Sequence, residues 1–262
     1  MAASTFDWLT GLREFLRDKV DPRTKDLPLM DNPIPIITAS ICYLYFVCYG
    51  GPQYMRDKKP YNLQKVITAY NIFQIISCTV IIYGMLMAYP ITKFGCEAIN
   101  YSDPAGSYRI AWWTWLVTIL KLAEFLETVF FVLRKKTDQI SGLHLYHHVS
   151  TFWIGWITTK FSPGEFTALP VIINCFIHIL MYSYYLVALH GGKELQKKII
   201  IWKKSLTIMQ MAQFTIIIGY IGSSLRSHCT TSRPLLLLWL ANIITNYVLF
   251  YKFYKSAYKK KV

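Results

Sequence analysis

Acidic residues are scarce in this chain: 14 Asp and Glu stand against 28 Lys and Arg, leaving a formal net charge of +14 over 262 residues. Charge of either sign is thin, at 16%, and no repeat, low-complexity tract or domain-sized linker interrupts the sequence. With 54% hydrophobic residues and a positive mean hydropathy, this excludes an ordinary soluble domain, and the length excludes several domains. The bilayer is the expected solvent. The basic surplus does not point to nucleic acid, because Lys and Arg fall in short runs between apolar stretches of spanning length, as membrane loops do. Also lacking is a long apolar stretch after a basic start. Residues 1–33 are charged throughout, so no removable signal peptide is expected and the first apolar run serves as an uncleaved anchor. Within them Phe6, Leu9, Leu12, Leu16 and Val20 recur at helical spacing opposite Arg13, Glu14 and Lys19. That pattern fits a helix lying in the membrane interface and equally a soluble amphipathic cap.

Apolar runs long enough to cross a core of roughly 30 Å fall at residues 34–50, 66–89, 109–133, 140–159, 166–189, 201–224 and 235–254. The expected fold is therefore an all-α integral membrane protein with seven transmembrane helices. It reads as a single membrane domain: a lumenal amphipathic segment (1–33), a helix bundle (34–254) and a basic tail (255–262). Of the 28 Lys and Arg, counting those at span ends with the connection they adjoin, 17 belong to the connections after spans one, three and five and to the C-terminal tail, 10 belong to the other connections and the N-terminal segment, and Lys121 is deep inside a span. The positive-inside rule makes the first set cytosolic, with the N-terminus lumenal and the C-terminus cytosolic.

Three features agree with that orientation. Asn100-Tyr101-Ser102 is a glycosylation sequon on the side assigned to the lumen. Cys96 and Cys229 are the only two of the six cysteines outside the spans, and both fall on the oxidising side, where a disulfide between them is expected. Lys259 and Lys260 stand where a cytosolic dilysine retrieval signal needs them, which implies residence in the endoplasmic reticulum membrane.

Histidine is also scarce, yet three of the six fall within five residues, as His144, His147 and His148. Spacings of three and four put all three on one side of a helix. Other spans carry polar residues at helical spacing: Lys121, Glu124, Glu127 and Thr128; then Asn174, His178, Tyr182 and Tyr185; then Lys203, Thr207, Gln210 and Gln213. A lipid-facing Lys or Asp at mid-membrane costs roughly 2.5–3.5 kcal/mol, so these side chains should face one another. At about 1.5 Å per residue, they fall between the cytosolic face and the midplane. Each taken alone has a plain structural reading as well, as a sealing ion pair or interhelical hydrogen bonds.

Two chemistries fit clustered imidazoles. A di-iron site needs on the order of eight ligands, more than this chain supplies, but one metal held by His144, His148 and His178 stays open. That would make the protein a metal-dependent lipid oxidoreductase. Without a metal, imidazole serves as general base or acyl acceptor, its tautomer fixed by a carboxylate such as Glu124 or Glu127. Cys175, one turn before His178, is a weaker nucleophile candidate. A receptor or channel is the third class.

The residues resemble the ELO-type very-long-chain fatty-acid elongases, which are 3-ketoacyl-CoA synthases. The likeness rests on Gly51-Pro52 with Lys58-Lys59-Pro60, KLAEFLETVFFVLRKK from Lys121 to Lys136, HLYHH at 144–148, NCFIHILMYSYY from Asn174 to Tyr185, and TIMQMAQF from Thr207 to Phe214. The resemblance implies condensation of a long-chain acyl-CoA with malonyl-CoA, with no cofactor beyond these substrates. It implies six of seven helices around a tunnel for the acyl chain, and His147 and His178 as central imidazoles beside His144 and His148. Where the family usually has Asp, this chain has Glu127. His178, Asn174 or Gln210 could stabilise the oxyanion. Lys58, Lys59, Arg134, Lys135, Lys136, Lys203 and Lys204 lie on the cytosolic side, where CoA phosphates arrive. Membrane lipid is the surrounding partner, with other enzymes of the elongation cycle or further copies of the chain left open.

Overall fold

Helices follow one another through the computed structural model, which describes residues 20–89, 104–226 and 232–258. We number them α1 (Ile34–Met55), α2 (Gln64–Ala88), α3 (Pro104–Ala123), α4 (Phe125–Leu133), α5 (Gly142–Phe161), α6 (Ala168–His190), α7 (Lys193–Arg226) and α8 (Arg233–Tyr258). No β-strand occurs among the described residues. Within α1 the turn Phe46–Gly50 widens to a π-helix. Its first turn is set by Asn32, whose Oδ1 accepts the Ile34 amide at 2.8 Å, and by a proline in the first turn, where the missing N–H costs nothing.

The packing order forms a ring. Helix α2 packs on α3 and α6, α3 on α5, α5 on α8, α8 on α7, and α7 on α6, which closes the circuit. Helix α1 stands outside it against α4 and α5. Three apolar clusters hold the arrangement: Tyr43, Val47, Phe125, Val132 and Phe152 join α1, α4 and α5; Cys78, Ile81, Ile110, Leu120 and Val171 join α2, α3 and α6; Phe214, Ile217, Leu236 and Ile243 join α7 and α8. Close approach of α2 and α3 depends on Gly84, where a Cβ would lie 2.0 Å from the Trp113 ring.

Among the described residues, five helices rather than seven are long and apolar enough by composition to cross a membrane: α1, α2, α6, residues 201–225 of α7, and α8. The two expected spans that fall short are those with the most polar interiors. Helices α3 and α4 form one path broken at Glu124 and carrying Arg109 and Lys121, while α5 carries the three histidines, four Ser and Thr, and Lys160. Their polar residues are what depress their hydropathy. Helix α7 also begins eight residues before the expected residue 201, after a link of only Gly191 and Gly192. A hydropathy scan cannot see that extension because its first residues include Lys193, Glu194, Lys197 and Lys198.

Residues 20–33 are turns fastened across the ends of α3 and α5. Asp21 N donates to Lys160 O at 2.9 Å, Trp115 Nε1 to Pro28 O at 2.9 Å, and Trp156 Nε1 to Leu29 O at 2.8 Å. The expected amphipathic helix of residues 6–20 lies, except for Val20, outside the described residues.

Candidate active site

The break between α3 and α4 aims an acid inward. Glu124, 1% exposed, interrupts the helix, and the following turn tightens so that Glu127 N bonds Glu124 O at 3.1 Å. Lys121 Nζ donates to Glu124 Oε1 at 2.8 Å and to Asn174 Oδ1 at 3.0 Å. Glu124 Oε1 also lies 3.2 Å from His178 Nδ1. Two charges removed from water persist only when each is paired and hydrogen-bonded, and this network joining α3, α4 and α6 meets that demand. Lys121, Glu124, Asn174 and His178 are thus one unit. The Asn174 Nδ2 has no partner among the described residues and is left to donate elsewhere.

His148 lies between two carboxylates. Its Nδ1 is 3.9 Å from Glu124 Oε2 and its Nε2 is 4.0 Å from Glu127 Oε2. Neither is a hydrogen bond, and Glu124 Oε2 and His148 Nδ1 are buried without hydrogen-bond partners.

Helix α5 starts at Ser141, whose hydroxyl accepts the His144 amide at 3.2 Å. This cap fixes the register of everything that follows. His144 Nε2 is 2.8 Å from Thr128 Oγ1, which is 2.8 Å from the Tyr43 hydroxyl, and the His144 and His148 ring centroids are 4.3 Å apart. His147 departs from the expectation that all three rings serve one face. With 3.6 residues per turn, the cluster is wide enough to address two neighbours: His144 and His148 turn to α4, and His147 turns to α8, its Nδ1 3.0 Å from Asn246 Oδ1. Asn246, 0% exposed, was not anticipated from the sequence. The signal was present: Asn242 and Asn246 sit four residues apart in the last apolar run, the spacing that marked the other spans.

His147 and Asn246 line a cavity of about 90 Å³ inside the ring, walled by α3, α5, α6, α7 and α8. Lys121, Asn174 and Gln213 share its wall, and Gln213 Oε1 is buried without a partner. At the far end are Thr114, Thr158, Thr167 and Trp239, with Trp239 Nε1 donating to Thr158 Oγ1 at 2.8 Å. From His147 to Thr158 the wall runs about 16 Å at the helical rise. Gln210 is not on this wall; its amide nitrogen approaches Met181 Sδ at 3.7 Å, and Gln213, one turn on, takes the cavity-facing position. Cys175 is buried in the α2–α3–α6 apolar cluster.

Basic residues gather where α1 and α4 end. Tyr61 N bonds Leu133 O at 3.0 Å and Lys135 Nζ bonds Arg56 O at 3.1 Å, which brings exposed Lys58 and Lys59 beside Arg134, Lys135 and Lys136. Lys58 also sits over the Tyr54 ring, 3.1 Å from its centroid. Lys203 and Lys204 are exposed on α7. Among the described residues no three His, Cys, Asp or Glu side chains are grouped to hold a metal ion; of the expected set His144, His148 and His178, His144 Nε2 is engaged by Thr128 and His178 Nδ1 by Glu124. Cys96, Cys229, Asn100, Lys259 and Lys260 lie outside the described residues.

A helical, multi-pass membrane protein whose His147 and Lys121 line an interior cavity, with Glu124 and His178 joined to that lysine behind the wall, has the site of a membrane-embedded enzyme. The chain belongs to the ELO (GNS1/SUR4) family, whose profile matches residues 28–262. It is 38% identical to very long chain fatty acid elongase 7 of Drosophila melanogaster, over 97% of this chain and 79% of the relative. It is 35% identical to very long chain fatty acid elongase 4 of Mus musculus, over 92% and 77%. To very long chain fatty acid elongase 1 of Mus musculus it is 30% identical, over 96% and 91%.

Proposed function

We propose that this chain is the condensing enzyme of fatty-acid elongation, an acyltransferase that joins a long-chain acyl-CoA to malonyl-CoA and releases CO2 and CoA. Membership of the elongase family supports the reaction, and one geometric observation supports the chemistry. His147 stands on the wall of the interior cavity with Nδ1 engaged and Nε2 without a partner among the described residues, the state an imidazole nucleophile needs.

The first step is attack of Nε2 on the thioester carbonyl carbon. The C–S bond breaks and CoA departs as thiolate, taking a proton from solvent. Malonyl-CoA then loses CO2, and the resulting enolate attacks the acyl carbon, returning the C–N electron pair to Nε2. Both additions build an oxyanion, and the free Asn174 amide donor, held by Lys121 through its oxygen, is suited to it. His178, paired with Glu124, is suited to proton movement. The acyl tail follows the cavity toward Trp239, and Lys58, Lys59, Arg134, Lys135 and Lys136 take the CoA phosphates.

We read the α3–α4 path and α5 as spans too, giving seven passes in one domain, six around the acyl tunnel, with the basic loops cytosolic. Lys259 and Lys260 support residence in the endoplasmic reticulum.

The test is incubation of purified protein with acyl-CoA alone, then with radiolabelled malonyl-CoA. Free CoA and an acyl mass on the peptide containing His147 are expected, followed by labelled 3-ketoacyl-CoA. The His147→Ala variant should give neither. Labelled product at an undiminished rate from that variant overturns the nucleophile, and no labelled product from the wild type overturns the reaction.

A further inference from the structure

We propose that Asn246 is a positioning residue that holds His147 as its Nδ1–H tautomer, so that the unshared pair on Nε2 faces the cavity. The inference rests on the acyl-histidine reading above and extends the site to α8, a helix that carries none of the motifs behind the family resemblance.

The two ring nitrogens of a neutral imidazole are distinguished by whatever binds one of them. An asparagine amide can present either its oxygen or its nitrogen, so the choice here depends on what else holds Asn246. Its Nδ2 donates to the Asn242 backbone carbonyl at 2.9 Å and lies 3.2 Å from Asn242 Oδ1. A backbone carbonyl only accepts, and it cannot rotate within a helix. The amide nitrogen is therefore committed, and Oδ1 is what faces His147 at 3.0 Å. An oxygen acceptor requires the proton on Nδ1. The Tyr146 hydroxyl, donating to Asn242 Oδ1 at 3.3 Å, steadies the second amide. Asn246 is 0% exposed, so water does not compete for its oxygen.

The opposite nitrogen is free. Among the described residues His147 Nε2 has no hydrogen-bond partner, and it is not one of the sealed, unpartnered buried atoms. The ring that carries it is part of the cavity wall. An amide also differs from the carboxylate expected at this place. It adds no buried charge, and it cannot accept the Nδ1 proton. When Nε2 forms the C–N bond and the C–S pair leaves on sulfur, Nδ1–H stays in place and the acyl group sits on a cationic ring. Attack by the enolate carbon breaks that C–N bond and restores a neutral ring with the same proton on Nδ1.

The experiment uses the full chain in detergent micelles, labelled with ¹⁵N at histidine, and the His147 signals are identified by their loss in His147→Gln. Before any substrate is added, the wild-type spectrum should show a proton on Nδ1 and a bare Nε2. In Asn246→Leu that preference should be lost and kcat should fall about tenfold, with KM for acyl-CoA held within about twofold. Asn246→Asp, which keeps the acceptor oxygen, should recover the tautomer and more of kcat than Leu does. A wild-type ring protonated on Nε2 overturns the proposal without any variant. So does an Asn246→Leu enzyme with unchanged kcat, or one whose KM and kcat change together, which marks a structural role. If the tautomer is as stated but no acyl adduct forms on His147, the acyl-histidine reading fails and the positioning role for acyl transfer goes with it, while the assigned tautomer stands.

Discussion

Replacing Lys121 with Met removes the only ammonium among the described residues within reach of a carboxylate that is 1% exposed. Breaking a buried pair by deleting one partner costs about 3–5 kcal/mol, because the remaining charge is left uncompensated. Here the remaining acid is not wholly abandoned: His178 Nδ1 stays 3.2 Å from Glu124 Oε1 and His148 Nδ1 3.9 Å from Glu124 Oε2. The cost should therefore fall at the lower end, about 3 kcal/mol. Removing both charges in Lys121→Met with Glu124→Gln should return stability to within about 1 kcal/mol of wild type, since a neutral pair leaves no buried ion. Unfolding in mild detergent, compared across wild type, both single variants and the double, gives the coupling energy directly. Turnover should separate from stability in the same set. Lys121 also holds Asn174 Oδ1, so the double variant should be stable yet still slow in condensation. A Lys121→Met protein destabilised by less than about 1 kcal/mol, or a double variant weaker than both singles, would refute the claim that Glu124 depends on Lys121.

Gly84→Ala should destabilise the fold by about 1–3 kcal/mol, because its Cβ would fall 2.0 Å from the rigid Trp113 ring; pairing it with Trp113→Leu should recover most of the loss in the same unfolding assay. Trp239→Ala opens the cavity end now closed by the bond to Thr158 and should lengthen the longest product by at least one elongation round, read by mass spectrometry of the acyl products. Lys135→Glu should raise KM for both CoA substrates with little change in kcat, an effect that shrinks at high salt.

Much of the bundle was legible because hydrophobic length and charge placement are local properties. The apolar runs at 66–89 and 166–189 became α2 and α6 to within two residues at each end. The reading failed where helices are not uniformly apolar. Helix α7 extends through a charged turn that looks like a loop to any hydropathy scan, and α3 breaks at Glu124, a residue with nothing in its own type to mark a helix end. The break depends on tertiary contact, because it is the Lys121 and His178 partners that hold the acid inward.

The site shows the same division. Polar residues in apolar spans were visible, and their grouping followed from the cost of facing lipid. Which ring served which neighbour did not follow, since a helix turning every 3.6 residues sends His147 one way and His144 and His148 another, and only the packing order says that α8 and α4 wait there. Gln210 and Gln213 lie on one motif, three residues apart, and only the ring geometry makes Gln213 the one on the cavity wall. Asn246 is the clearest case. Its spacing from Asn242 is the same signal that marked the other spans, but its meaning depends on which amide atom is already taken, and that is decided by a backbone carbonyl one turn away. Residue type limits the chemistry a site can perform; commitment of every other hydrogen-bonding atom decides which atom is left to perform it.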